Sequence, residues 1–213
     1  MRFAALALAL IAATPALAEA VRRPMGYVER RYETTVRQLL DFTCGAASLA
    51  TILRHYWGED VGEKQVLDLI RARYDAAQWR AKQSDGMSFD DIAQAARSLG
   101  YEARGAEIAA DELANLGAPV IVHLDKGKFQ HFSVLKRAVD GVFYLSDPIL
   151  GAIGMPGHEF RRQYTGKALA VARKAGDLPA NAPLSRVRDG LSVRDSLRGV
   201  VDRPPQHPAA GFN

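Results

Sequence analysis

The one cysteine of the 213-residue chain, Cys44, lies in the run Gln38-Leu39-Leu40-Asp41-Phe42-Thr43-Cys44-Gly45-Ala46-Ala47-Ser48. Apolar residues follow it at helical spacing: Ala47, Leu49, Ala50, Ile52, Leu53 and Tyr56. They predict a core helix from Cys44 to Trp57, stopped by Gly58, with the thiol-bearing end at the surface. Thr43 then stands at the N-cap, where its hydroxyl is expected to accept from an early helical N–H. Cys44 falls in the first turn. There the free N–H groups and the positive end of the helix dipole favour an anion. The thiolate is the nucleophilic form of cysteine, so this placement suits covalent attack better than inert packing.

A cysteine nucleophile needs a base within hydrogen-bond reach, and the base needs an orienting group. The chain has 5 histidines. His55 lies on the same helix but about 16 Å further along it at ~1.5 Å per residue, too far to reach the thiol. His158 reads as part of a Gly-rich loop, and His207 as part of a C-terminal tail. His123 and His131 fall in strand-like sequence. His131 is favoured, because Asp147 follows in Leu145-Ser146-Asp147-Pro148 and reads as an acid on the next strand. His123 is the reserve. Zinc sites need three or four clustered ligands, and no His/Cys pair has close ligand spacing. No metal or other cofactor is expected.

The elements that must position these residues change character along the chain. Tyr32 to Gln38 reads as a short strand or extended lead-in. Further helices are predicted from Glu63 to Arg71, from Ser88 to Leu99 and from Ala110 to Leu116. The second of these opens on Ser88-Phe89-Asp90-Asp91, which resembles a capping box with Asp for Glu. Strands are predicted at Tyr101–Glu107, Pro119–Leu124, Gln130–Val139, Val142–Ser146 and Ala168–Ala172. Helices first and an antiparallel sheet after them argue for an α+β fold. The nucleophile helix should pack on the sheet that supplies the base.

The first 18 residues read as a secretory signal peptide. Arg2 gives a positive start, Phe3 to Ala13 is an Ala/Leu run, and Ala16-Leu17-Ala18 is a small-residue cleavage site. The run is too short to span a bilayer, which takes ~20 apolar residues, so no stable membrane anchor is expected. The mature protein is expected to be exported, in the periplasm or outside the cell. A lone cysteine in an oxidising compartment can make no internal disulfide, which points to a reactive thiol. Residues 19–174 form the expected domain. Residues 175–213, broken by prolines and rich in charge, read as a peripheral tail. The formal net charge is +4 with no long basic run, which argues against a nucleic-acid partner. Oligomeric state is not legible.

Taken together, Gln38, Thr43-Cys44-Gly45-Ala46-Ala47, Gln130-His131-Phe132 and Ser146-Asp147-Pro148 followed by Gly151 resemble peptidase family C39, of the papain-like cysteine protease superfamily. The similarity spans about residues 34–170. It implies a papain-like fold with Cys44 as nucleophile, His131 as base and Asp147 as orienting acid. Gln38 would be the oxyanion-hole side chain. Transporter-fused members of that family usually carry Asp before the nucleophile and a second cysteine four residues after it. Here those positions are Thr43 and Ser48. Those members cut leader peptides after a Gly-Gly pair, whereas this chain looks closer to stand-alone exported members, some of which accompany secretion of surface fibres. The implied activity is cysteine-type cleavage of an exported peptide or protein, with such a secretion system as partner. The rivals are a papain-like cell-wall peptide amidase and a non-catalytic adaptor in fibre assembly.

Strand register sets a geometric condition. A two-residue turn at Asp140-Gly141 would put Val134 opposite Asp147, ~10 Å along the strand from His131 at ~3.3 Å per residue. Either a longer connection or a bulge is expected, so that Asp147 can reach His131.

Overall fold

The computed structural model describes residues 26–173. The segments read as signal peptide and tail lie outside them. Helix α1 (Tyr27–Arg31) is followed by an irregular stretch and by α2 (Cys44–His55), α3 (Glu63–Arg71), α4 (Ala76–Asp85) and α5 (Phe89–Ser98). Strand β1 (Tyr101–Glu107) and the short α6 (Ala110–Leu113) lead into β2 (Val120–Asp125), β3 (Gln130–Val139) and β4 (Val142–Asp147). Then come β5 (Gly151–Pro156), α7 (Gly157–Gln163) and β6 (Tyr164–Arg173). The strands form one antiparallel sheet in the order β1-β6-β2-β3-β4-β5. This is the expected α+β architecture.

Helix α2 is the centre of the core. Every residue from Cys44 to Leu53 is buried. Ala46, Ala47 and Ala50 have no exposed surface, and small side chains let the helix lie close to β3, α3 and α5. This corrects the expectation that the thiol-bearing end is at the surface. Helices α3 and α5 are amphipathic, burying Val66 and Ile70 on one and Ile92, Ala95 and Ala96 on the other.

Four elements, α1, α4, β5 and α7, have no counterpart in the sequence reading. Helix α4 buries only Trp79, so it carries little apolar periodicity. The signal that could have found it is its N-cap: Asp75 accepts from Ala77 and Gln78 N–H, and Gln78 Oε1 accepts from Asp75 N–H. Strand β5 is glycine-rich, and α7 replaces the loop expected around His158. Strand β6 begins at Tyr164, four residues before the expected start.

The β3–β4 hairpin meets the register condition in an instructive way. Its turn has two residues, with Asp140 and Gly141 both at positive φ and Val139 facing Val142. Carried on unbroken, that register would leave Asp147 on the face opposite to His131. The register shifts between Leu135 and Arg137, so Lys136 is the extra residue of a bulge. Beyond the bulge Val134 faces Ser146. One further step along that register sets Asp147 against Ser133, which shares a face with His131. The two are thus diagonal neighbours rather than directly opposed, within reach of an imidazole and a carboxylate.

Candidate active site

Cys44 opens α2, His131 is the second residue of β3, and Asp147 ends β4. Nε2 of His131 lies 3.0 Å from Oδ2 of Asp147, and both side chains are buried. Cys44 stands near enough to the imidazole to act on its charge. With Nε2 occupied by the carboxylate, Nδ1 is the ring nitrogen left for the sulfur. The other carboxylate oxygen of Asp147 accepts from the N–H of Ile149 at 2.9 Å and of Leu150 at 3.0 Å. These bonds orient the carboxylate and shape the β4–β5 turn. Gly151 closes the turn at φ 75°, where an added Cβ would lie 2.6 Å from the Arg31 carbonyl oxygen of α1.

The electrostatics follow from burial and pairing. Burial alone would push His131 below its ordinary value. The bond the imidazole donates to Asp147, then the neighbouring Cys44 sulfur, with the charges of both, outweigh it and raise His131 to about 9. Burial would raise Asp147, but His131 and the two turn N–H groups hold it below the usual carboxylate range. The pair therefore favours imidazolium beside carboxylate.

The reserve histidine is placed elsewhere. His123 Nδ1 meets Thr165 Oγ1 at 3.0 Å, and its ring packs against Phe89 and Phe132. Burial first, then Lys167, lowers it. It is a half-buried strand residue engaged with β6.

Gln38 sits in the irregular stretch before α2. That stretch forms no strand because its polar groups bind single partners in turn. Tyr32 OH donates to the Ile149 carbonyl, Ser146 Oγ to Thr34 O, Val36 N–H to Thr51 Oγ1 and Gln38 N–H to Pro148 O. Gln38 Nε2 donates one hydrogen to Leu40 O at 2.9 Å. An amide nitrogen carries two, so one remains. Gln38 and Cys44 line the same groove, about 520 Å³ in volume, with Asp41, Phe42, Met87, Lys128, Phe129, Phe132 and Ile149 among its walls. The last turn of α4 and the residues just after it, Gln83 to Met87, form one side. No feature of the sequence reading pointed to this wall, because α4 itself was missed.

Thr43 departs from its expected role. Its hydroxyl makes no cap bond to α2 and instead donates to the buried carboxylate of Glu63 on α3. Gly45, the next residue after the thiol, is set by contact. A Cβ there would meet Ile92 Cδ1 at 2.8 Å and Phe132 Cδ2 at 3.4 Å. Gly45→Ala would gain up to ~1 kcal/mol of helix propensity, but overpacking a tight core costs roughly 1–3 kcal/mol. The expected outcome is a melting temperature lower by about 2–4 °C. A thermal melt showing no loss would mean that Ile92 yields freely.

A helix-on-sheet fold, with a buried imidazole–carboxylate pair behind a thiol that lines a groove, narrows the class before any comparison is made. The chain belongs to the Peptidase C39 family, whose match covers residues 33–176, and it is a cysteine-type peptidase. Among its relatives is the probable functional amyloid protease FapD of Pseudomonas fluorescens. That protein is 35% identical over 176 residues, covering 82% of this chain and 75% of its own. Among solved structures, a double glycine motif protease from an AMS/PCAT transporter, crystallised with its leader peptide, is 30% identical with a TM-score of 0.56. The match covers 66% of this chain and 91% of that one. The peptidase domain of Streptococcus ComA, a bifunctional ABC transporter of a quorum-sensing pathway, is 25% identical with a TM-score of 0.57. There the coverage is 66% and 98%.

Proposed function

We propose that this chain is an exported peptidase that cleaves a peptide bond in an exported peptide or protein through Cys44, His131 and Asp147, with Gln38 in the oxyanion hole. The observation that carries the reading is the buried His131–Asp147 hydrogen bond, with Cys44 close enough to act on the imidazole and lining an open groove. The Cys44 thiolate adds to the carbonyl carbon of the scissile bond. The C–N bond then breaks as the His131 imidazolium gives its proton to the leaving amine, and an acyl thioester remains. Neutral His131 next takes a proton from water, whose oxygen attacks the thioester. The C–S bond breaks, and thiolate and imidazolium are restored. Asp147 keeps the imidazole in one orientation and stabilises its charged form. The second hydrogen of Gln38 Nε2 and the Cys44 N–H serve the developing oxyanion.

The groove suggests what is cut. Cys44 is only 6% exposed, so the acyl side of the scissile bond must enter a narrow opening. Small residues such as Gly or Ala fit there. The rim carries exposed apolar side chains, among them Phe129 and Ile149, which suit an apolar stretch of the substrate. The relatives named as amyloid protease and leader-peptide protease motivate a substrate that is a component of a secretion or surface-fibre system. Among the described residues no helix is long and apolar enough to cross a membrane. Export itself rests on the signal-like start of the sequence.

The test is a cleavage panel. Purified protein is incubated with peptides carrying Gly-Gly or Gly-Ala at the scissile position, with the same peptides bearing Leu or Phe there, and with purified peptidoglycan. Mass spectrometry reads the products. Cleavage after small residues, at least ~10-fold faster than after bulky ones, is expected from a steric filter of a few ångströms. Release of cell-wall peptides without cleavage of the panel would favour the amidase, and no cleavage of anything the adaptor.

A further inference from the structure

We propose that Glu63 is a positioning residue for the oxyanion hole, holding the loop from Gln38 to Thr43 in its working shape. The proposal rests on the reading of Gln38 and Cys44 given above. Glu63 is the first residue of α3 and is 4% exposed. A carboxylate is costly to bury unless donors satisfy it. Both of its oxygens lie 3.1 Å from the N–H of Leu39, and Oε1 also accepts from the Thr43 hydroxyl. The free N–H groups and positive dipole end at the start of α3 favour the charge further.

The two donors are the point. Leu39 follows Gln38 directly, and Thr43 directly precedes Cys44. One buried carboxylate therefore grips both ends of the loop that joins the proposed oxyanion donors. Packing holds only the far part of the loop, where Phe42 meets Trp79, because Leu39 is 76% exposed and Leu40 47% exposed. The loop has no strand partner either, and Gln38 uses one amide hydrogen within the loop, on Leu40 O. If the carboxylate is removed, the Leu39 N–H loses its acceptor between two fixed points, Gln38 N–H on Pro148 O and Leu40 O on Thr43, and the Gln38 side chain beside it is less firmly set. Glu63 is not among the groove-lining residues, so it acts through the loop and not on the substrate. The Thr43 hydroxyl is turned away from α2 by these bonds: besides Glu63 it meets Leu40 O at 2.9 Å and accepts from Leu40 N–H at 3.3 Å.

The experiment compares full-length protein with Glu63→Gln, Gln38→Ala, the double variant and Cys44→Ala, using a peptide that the parent cleaves. Glu63→Gln keeps the size and one acceptor oxygen but loses the charge. It is expected to lower kcat by about 10-fold with KM within ~2-fold, a fraction of the ~10²-fold that a lost oxyanion donor costs. Alkylation of Cys44 by iodoacetamide, which forms no oxyanion at a carbonyl, should stay within ~2-fold. In the Gln38→Ala background the further loss from Glu63→Gln should shrink below ~3-fold, because the group it positions is gone. Full multiplicative loss in the double variant, an unchanged kcat, or equal falls in kcat and alkylation would each overturn the proposal. If Glu63→Gln does not fold, Thr43→Val removes the hydroxyl's bonds to Glu63 and to Leu40 while leaving Glu63 on Leu39 N–H, and the same non-additivity with Gln38→Ala decides. Activity surviving in Cys44→Ala would instead defeat the reading of the site.

Discussion

Cys44→Ala is expected to lower kcat/KM by on the order of 10⁴-fold or more, with the fold intact. Removing the nucleophile of a cooperating set costs nearly the whole chemical step, leaving only what binding and the oxyanion donors supply. The substitution deletes one buried sulfur from the first turn of α2 and leaves Gly45, Ile92 and Phe132 in contact. A melting temperature close to that of the parent should accompany the loss. Peptide cleavage by the alanine variant, followed by mass spectrometry at high enzyme concentration, checks it. Residual activity within 10² of the parent would place the chemistry on another residue.

The second large effect concerns Asp147. Asp147→Asn preserves shape but removes the charge that does most to raise His131. At neutral pH the expected loss in kcat/KM is on the order of 10³-fold, through loss of the imidazolium and of its fixed orientation. The pH profile carries the more specific signature. His131 is raised to about 9, so in the parent the protonated form persists up to that value and activity should fall as pH rises through it. In the asparagine variant the alkaline limb should move down by about one pH unit or more. Stability follows the same sign. Because the folded-state value of His131 is raised, its contribution is complete below ~6.5 and disappears as pH rises through about 9. Asp147 is lowered, so its contribution is present above ~3.9 and disappears as pH falls through its folded value. An alkaline limb that does not move in Asp147→Asn would sever the carboxylate from the proton chemistry.

What could be read from the sequence follows the physics of each element. Helices α3 and α5 have one apolar face and clear ends, and strands β1 and β3 have flanking turn residues, so their patterns locate them within a residue or so. The proposed thiol, imidazole and carboxylate could be picked out because few residue types can serve and their runs are distinctive as a set. Helix α4 was not, since it packs through Trp79 alone and carries no stripe. The bulge at Lys136 could be required from the register but not located, because nothing in Lys136-Arg137 marks an extra residue. Glu63 was invisible as a partner of Thr43. A Glu in the first turn of a helix is ordinary, and only the fold brings α3 against the loop before α2. Thr43 itself misled, since a threonine before a helix usually caps it, and here its hydroxyl is turned toward Leu40 and Glu63 instead.

The central claim, a thiol activated by an adjacent charged imidazole, is tested most directly by the rate at which Cys44 reacts with iodoacetamide at pH 6, mapped to the residue by peptide mass spectrometry. With His131 protonated beside the sulfur at that pH, Cys44 should react at least ~10-fold faster than free cysteine. The advantage should be lost in Asp147→Asn. A rate no faster than that of free cysteine, in folded protein that cleaves peptide, would contradict an activated thiol at this site.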